Sequence, residues 1–158
     1  MWANDQFKEV MERHRDMVFR IAYTYMRDAA DADDVTQDVF VKLLRAGKPF
    51  ESEDHLRHWL VRVTANTCKS LFRRPWQRVE DLEAYAGTLA MPSRAHEGVF
   101  VTVMRLPEKY RVPLVLHYYG GFSTAEIADA LRIPAATVRT RLARARAKLK
   151  TLLEADES

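Results

Sequence analysis

The chain has 158 residues, of which 47% are hydrophobic, 30% are charged and 5 are glycine. This composition is that of a globular protein and excludes a fibrous repeat or a long disordered chain. The longest apolar runs fall far short of the roughly 20 residues that span a bilayer, and the N-terminus lacks the features of a secretory signal. The single cysteine, Cys68, cannot form an internal disulfide. We therefore expect a cytoplasmic protein without membrane insertion.

Charges of opposite sign are segregated along the chain, although the net charge is only +3. Segment 27–38 contains five acidic residues and one basic residue. Segments 55–79 and 139–150 each contain six basic residues and no acidic residue. Two basic segments and one acidic segment predict two surfaces for nucleic acid and one for a basic protein partner. The alternative for each segment is a solvated helix face.

Apolar residues recur mostly at spacings of three and four, which is typical of amphipathic helices, and no segment sustains the period of two that a strand requires. The periodicity fades between Trp76 and Gly98, where glycine, proline and serine interrupt it. The sequence therefore predicts an all-α protein with two small helical domains. The first domain comprises residues 1–75, a flexible linker comprises 76–98 and the second domain comprises 99–153.

A helix-turn-helix is predicted in the second domain. Ser123-Thr124-Ala125-Glu126 fits a capping box that begins one helix, and Pro134 suits the first turn of the next. That second helix has an apolar face formed by Val138, Leu142, Ala145 and Leu149. Its opposite face carries the small residues Thr140, Ala143 and Ala147 between two basic flanks. Small residues permit approach to base edges while the flanking cations reach phosphates, as a recognition helix requires. The alternative is a surface helix with a basic exposed face.

Three segments of this region read LPEKYR (106–111), GFSTAEIA (121–128) and IPAATVRTRLARAR (133–146). Together they closely resemble the C-terminal DNA-reading domain of extracytoplasmic-function (ECF) sigma factors. These proteins belong to the sigma-70 family of bacterial RNA polymerase initiation factors, and this domain reads the minus-35 promoter element. The resemblance implies that Arg139, Thr140, Ala143 and Arg144 contact DNA. Arg132 departs from the family pattern, in which glycine is usual, so we expect a strained or differently closed turn.

The acidic segment resembles the polymerase-binding helix of the same family. Residues 31–40 read DADDVTQDVF. The family's helix docks on the clamp of the largest core polymerase subunit, and the resemblance implies that Asp34, Gln37 and Asp38 make this contact. Val35 and Val39 are expected to pack inward. An acidic stripe is suited to the task because it steers and orients a basic partner.

The third predicted helix has a polar side formed by Arg62, Asn66, Lys69 and Arg73, at spacings of four, three and four. We call these four residues the polar rail. Phe50, Trp59, Phe72 and Trp76 lie near it in sequence, and a charged groove with stacking surfaces suits single-stranded DNA. A tryptophan such as Trp59, taken alone, is more often a core residue, since aromatic side chains dominate core burial. The other side of this helix is lined by Leu56, Leu60, Val63, Thr67 and Leu71.

Segments 50–53 and 55–66 resemble the family's minus-ten region. In that region a loop captures a base flipped out of the non-template strand, and the helix that follows approaches DNA at the position of Asn66. The resemblance implies a DNA contact at Asn66, and together with the charge and spacing of the polar rail it predicts that the rail binds melted minus-ten DNA. Unpairing a base costs a few kcal/mol, so a pocket for an extruded base can both melt the DNA and read it.

The sequence contains no phosphate-binding glycine loop, nucleophile motif or paired catalytic carboxylates, so we expect no enzyme activity, catalytic residue or cofactor. His55 and His58 lie one helical turn apart but lack a third ligand, so no metal site is expected. A helix-turn-helix regulator would explain only the end of the chain, and a polymerase-binding adaptor without promoter specificity is a third hypothesis. The favoured one is a sigma factor with polymerase core and promoter DNA as partners. The family resemblance also allows an anti-sigma factor.

Overall fold

The computed structural model describes residues 2–47, 50–71 and 94–157, and every regular element in these ranges is an α-helix. The chain divides into two compact units, Met1–Gln77 and Arg78–Ser158. The first unit contains α1 (Asn4–Met26), α2 (Ala29–Ala46) and α3 (Glu53–Leu71). The second contains α4 (Arg94–Val103), α5 (Glu108–Tyr118), α6 (Thr124–Leu131) and α7 (Ala135–Glu157). The predicted all-α fold with two helical domains is confirmed.

The segment assigned to the linker coincides only partly with the described residues. Positions 76–93 lie outside them, and positions 94–98 belong to α4. The sequence placed the end of the linker at Gly98 because the apolar periodicity fades up to this residue and glycine interrupts it. The helix nevertheless extends through this residue, and Phe100 and Val101 beyond it are buried in the second unit. Tertiary packing outweighs the local preference at this position.

In the first unit, each of α1, α2 and α3 packs against the other two. α2 begins where the Asp28 carboxylate accepts a hydrogen bond of 2.9 Å from the amide of Asp31. It ends at Gly47, whose φ of 57° is left-handed. The indole Nε1 of Trp2 donates a hydrogen bond of 3.1 Å to the carbonyl oxygen of Leu43, which ties the start of the chain to α2.

The buried face of α3 differs from the predicted stripe. Leu56, Leu60 and Thr67 are buried, whereas Val63 is half-buried and Leu71 is 47% exposed. The remaining buried positions of α3 are Val61, Thr64, Ala65 and Cys68. This face is wider than a single stripe because α3 contacts both α1 and α2. The apolar side read from the sequence and the buried face therefore coincide only in part.

A buried histidine joins α1 to the first turn of α3. His14 is 5% exposed, and its Nε2 lies 2.7 Å from Oε1 of Glu53. Burial lowers the pKa of His14 below its usual value and outweighs the Glu53 carboxylate, which raises it. Burial raises the pKa of Glu53, but Arg13 and His14 outweigh this effect and hold that pKa below its usual value. The start of α3 is thus anchored to α1 by the contact between His14 and Glu53.

In the second unit, α7 packs against α4, α5 and α6. The predicted capping box is present: the amide of Glu126 donates to Ser123 Oγ at 3.1 Å, and the amide of Ser123 donates to Glu126 Oε1 at 2.8 Å. α6 ends at Arg132, whose φ of 58° and ψ of 46° are left-handed. The turn is therefore closed in the conformation that a glycine would adopt, with an arginine carrying the strain.

Candidate nucleic-acid interface

The orientation of α7 agrees with the predicted recognition helix. Val138, Leu142 and Ala145 are buried and Leu149 is half-buried, so this face belongs to the core. The predicted DNA-contacting residues all lie on the exposed part of the helix: Arg139, Thr140, Ala143 and Arg144. The Thr140 hydroxyl donates to the carbonyl oxygen of Ala136 at 3.0 Å. α7 thus presents short side chains to solvent between exposed arginines.

A polar cleft of about 360 Å³ lies beside the first turns of α7. It is lined by Lys109, Tyr110, Ala136, Thr137, Thr140, Arg141 and Arg144. Three of these residues are cationic and none is acidic. The ammonium groups of Lys109 and Lys148 lie 5.1 Å and 5.6 Å from the centre of the Tyr110 ring. The cleft is therefore suited to an anion such as a DNA phosphate.

Tyr110 responds to this positive environment. Burial raises the pKa of its phenol, but the positive charges of Lys109 and Arg144, with hydrogen bonding to both, outweigh burial and lower that pKa below its usual value. Sequence reasoning did not identify Lys109 or Tyr110 as functional residues. Lys109 lies outside the basic segments, and only the packing of α5 against α7 brings the two residues to the recognition helix.

The predicted polymerase-binding residues form an exposed face on α2. Asp34, Gln37 and Asp38 are exposed, whereas Val35 and Val39 are fully buried, as expected. Beside Gln37, an open groove of about 390 Å³ is lined by Phe7, Met11, Arg15, Asp33, Thr36, Phe40, Val41 and Leu44. The side chains of Val41 and Leu44 are exposed. The acidic face of α2 therefore continues into an apolar surface.

The polar rail is only partly described. Asn66 and Lys69 are exposed, Arg62 is half-buried, and Arg73 lies outside the described residues. At the start of α3, the Phe50 ring contacts two others edge-on, with centroid distances of 5.1 Å to His55 and 5.7 Å to Trp59. Phe72 and Trp76 lie outside the described residues. Trp59 is half-buried, so part of its ring packs against the protein and part remains accessible to a ligand.

The two histidines considered as metal ligands have other surroundings. His55 Nδ1 accepts a hydrogen bond of 3.3 Å from the amide of Glu51. In the part of the chain that the structure describes, no group of three or more histidine, cysteine, aspartate or glutamate side chains could hold a metal ion. None of the helices in the described ranges is long and apolar enough to cross a membrane.

Family models match both units. Residues 10–78 match Sigma-70 region 2, and residues 101–149 match Sigma-70, region 4. The chain is 33% identical to the ECF RNA polymerase sigma factor SigM of Mycobacterium tuberculosis over 151 aligned residues. The alignment covers 93% of this chain and 76% of that protein. It is 30% identical to the RNA polymerase sigma-H factor of Pseudomonas aeruginosa over 166 aligned residues, and this alignment covers 94% of this chain and 86% of that protein.

Solved structures show the same fold. CnrH in complex with the cytosolic domain of CnrY matches with a TM-score of 0.69 and 30% identity, covering 98% of this chain and 91% of that one. The sigma factor RpoE in complex with the anti-sigma factor NepR from Bartonella quintana matches with a TM-score of 0.73 and 23% identity, covering 95% and 98%. The chain therefore belongs to the ECF group of the sigma-70 family. It is an RNA polymerase sigma factor that directs promoter-specific transcription initiation.

Proposed function

We propose that the second unit reads the minus-35 element as intact duplex, whereas the first unit binds core polymerase through α2 and holds the melted minus-ten strand along α3. The observation that carries this proposal is the exposed face of α7, on which Thr140 and Ala143 lie between Arg139 and Arg144. A helix with one apolar face in the core and a cationic face of short side chains in solvent has the form that enters a major groove.

Within α7, the proposed roles differ by side chain. Arg139 and Arg144 are long enough to reach base edges, and a bidentate arginine contact to guanine discriminates by about 1–3 kcal/mol. Thr140 and Ala143 permit the close approach and can contact a base directly. The cleft that contains Lys109 and Tyr110 lies beside Arg144 and supplies positive charge for the adjacent backbone. Such backbone contacts fix the register but carry no sequence information.

For α3, the exposed amide of Asn66 and the exposed ammonium of Lys69 support contact with a single strand. The ring cluster of Phe50, His55 and Trp59 adds stacking surfaces at the start of the same helix. A positive groove with aromatic side chains is the arrangement that holds unpaired bases with little sequence preference. Arg62 and Arg73 are the other two residues of the polar rail that we propose to contact the melted minus-ten strand.

For α2, the proposal places Asp34, Gln37 and Asp38 against a basic clamp of the polymerase. Burial of Val35 and Val39 leaves the acidic face as the side of this helix that a partner can reach. Charges arranged in this way accelerate association and set orientation more than they add affinity. The exposed Val41 and Leu44 next to Gln37 supply the apolar area that affinity requires.

We also propose that the protein acts in the cytoplasm and that an anti-sigma protein binds it. The support is that the two solved relatives are complexes, one with an anti-sigma factor and one with a cytosolic domain. Affinity purification of the tagged full-length chain from the bacterium that encodes it tests the second point. Recovery of polymerase subunits alone, under conditions in which the factor is inactive, would contradict it.

Run-off transcription with purified bacterial core polymerase tests the proposed function as a whole. A sigma factor gives transcripts from one defined start, and only when it is added to core polymerase. A helix-turn-helix regulator would bind the duplex but give no transcript from core polymerase alone. A polymerase-binding adaptor would co-purify with core polymerase without defining a start, so each alternative has its own outcome.

A further inference from the structure

An exposed tyrosine at the end of α5 contacts the recognition helix. Tyr118 is 60% exposed, and Nη1 of Arg146 donates a hydrogen bond of 2.9 Å to its hydroxyl oxygen. Arg146 lies seven residues after Arg139, which is close to two helical turns, so both project from the same flank of α7. This flank is separate from the cleft that contains Tyr110 and Arg144. The hydrogen bond thus connects α5 to the flank of α7 that carries Arg139 and Arg146.

Tyr118 is exposed but is held by its neighbours. Its ring contacts the ring of His117 edge-on, with centroids 4.9 Å apart and an interplanar angle of 85°. His117 Nδ1 lies 2.8 Å from the carbonyl oxygen of Phe122, whose side chain is buried. A Cβ at Gly120 would lie 2.7 Å from the Phe122 ring, so this turn requires glycine. The position of Tyr118 therefore rests on a tightly packed turn.

We propose that Tyr118 is a positioning residue that aims Arg146 at a backbone phosphate of the upstream promoter duplex. The inference rests on the proposed role of α7. A guanidinium group has five N–H donors, and the tyrosine hydroxyl occupies one of them. The remaining donors are free to bind a phosphate oxygen in a planar, bidentate fashion.

Fixing the arginine before binding is the physical advantage. A free arginine side chain loses rotamer entropy when it binds, and a side chain that is already oriented loses less. Because the contact is to the backbone, its loss should weaken binding to all sequences about equally. This behaviour separates Arg146 from Arg139 and Arg144, which are proposed to read bases.

The salt dependence of binding distinguishes positioning from simple stability. Each phosphate neutralised by a cation contributes about −0.9 to the slope of log Kobs against log salt concentration. Tyrosine is neutral and releases no counterion itself. Loss of its hydroxyl therefore changes the slope only if Arg146 no longer neutralises its phosphate.

The test uses full-length protein with core polymerase and a promoter duplex selected by that holoenzyme from a random-sequence library. Affinity is measured between about 50 and 200 mM salt, for this duplex and for one with a scrambled upstream element. Tyr118→Phe retains the ring, and Tyr119→Phe removes the hydroxyl of the neighbouring tyrosine as a matched control. Arg146→Ala and the double variant with Tyr118→Phe complete the set.

We expect Tyr118→Phe to weaken binding to both duplexes about three- to tenfold, which is the range for one hydrogen bond. The slope should become shallower by up to about 0.9, as in Arg146→Ala, and the double variant should bind no more weakly than Arg146→Ala alone. An unchanged affinity and slope in Tyr118→Phe, or additive losses in the double variant, would overturn the inference. Wild-type protein that binds both duplexes equally would overturn the proposed role of α7 itself, and the inference with it.

Discussion

The ammonium group of Lys42 on α2 donates a hydrogen bond of 2.9 Å to the hydroxyl of Thr67 on α3. The same ammonium group lies 3.1 Å from the carboxylate of Asp38. α2 carries the proposed polymerase contacts, and Thr67 follows Asn66 of the polar rail directly. A single lysine therefore ties α2 to α3, the helices proposed to bind polymerase and the minus-ten strand, and partly neutralises Asp38, one of the proposed polymerase contacts.

Replacing Lys42 by methionine should increase the association rate with core polymerase at low salt. The change removes a positive charge beside Asp38 and leaves a more negative surface to attract a basic clamp. The gain should be small, up to a few-fold, because exposed ion pairs contribute little and are screened. Stopped-flow measurement of association at several salt concentrations checks it. A slower association in the Lys42→Met variant would show that Lys42 itself contacts the polymerase favourably.

Charge reversal on the acidic face should have the opposite effect. Asp34→Lys together with Asp38→Lys should slow association with core polymerase by roughly tenfold or more at low salt, since steering by charge spans about 10 to 10³ in rate. Glu12→Lys together with Asp16→Lys makes the same charge change at exposed positions of α1 and serves as the control for net charge. Equal effects of the control and the paired variant would remove the assignment of the α2 face.

The first unit should lose stability as the pH falls from 7 to 5. Burial holds the pKa of His14 below its usual value, so the unfolded chain takes up a proton at a higher pH than the folded one. The pKa of Glu53 is also lowered, so its contribution persists in this window and is lost only at lower pH. His14→Gln should flatten the pH dependence between 7 and 5.

Tryptophan fluorescence measures this effect selectively. Trp2 and Trp59 lie in the first unit, and the second unit, Arg78–Ser158, contains no tryptophan. In a Trp76→Phe background, denaturant unfolding followed by tryptophan emission therefore reports the first unit. His55→Gln, at an exposed position, controls for the loss of a histidine. A pH dependence that is as steep in His14→Gln as in the wild type would contradict the role of His14.

The second unit should be stabilised by glycine at the end of α6. Arg132 is exposed and left-handed with a φ of 58°, a conformation that costs L residues about 1–2 kcal/mol and glycine almost nothing. Arg132→Gly should therefore be more stable than Arg132→Ala by about 1 kcal/mol. Thermal unfolding by far-UV circular dichroism checks this, while the fluorescence midpoint of the first unit stays constant. A melting temperature of Arg132→Gly equal to or lower than that of Arg132→Ala would contradict the assignment of backbone strain to Arg132.

Local features of the fold could be predicted from the sequence because their causes are local. The capping box of Ser123 and Glu126 involves residues three apart, and the apolar face of α7 follows from its own periodicity. The buried face of α3 could be predicted only in part, because it depends on contacts with two other helices. Periodicity shows that an amphipathic helix exists, but its neighbours decide how much of the circumference is buried.

The contacts that couple helices could not be predicted. Tyr118 and Arg146 are 28 residues apart, and Lys42 and Thr67 are 25 residues apart. Such pairs depend on how helices cross, which no local pattern determines. Arg111 illustrates the same point: it is buried, and its guanidinium donates to the carbonyl oxygen of Leu106 at 2.8 Å, although charge alone would place it on the surface.

The division of labour between duplex reading by α7 and strand holding by α3 can be tested directly with two pairs of variants. Arg139→Ala and Arg144→Ala should each weaken promoter binding by roughly 1–3 kcal/mol and relax discrimination at the upstream element. Asn66→Ala and Lys69→Ala should instead impair melting or holding of the downstream strand. Both residues of each pair are exposed, so their truncation leaves the cores intact.

The decisive measurement compares transcription by all four variants on a fully paired promoter and on one pre-opened by mismatches at the minus-ten element. Pre-opening supplies the unpairing cost of a few kcal/mol in advance. It should therefore partly restore transcription by Asn66→Ala and Lys69→Ala, but it should not restore the upstream discrimination lost in Arg139→Ala and Arg144→Ala. An identical response of both pairs to pre-opening would contradict the proposed separation of the two DNA surfaces.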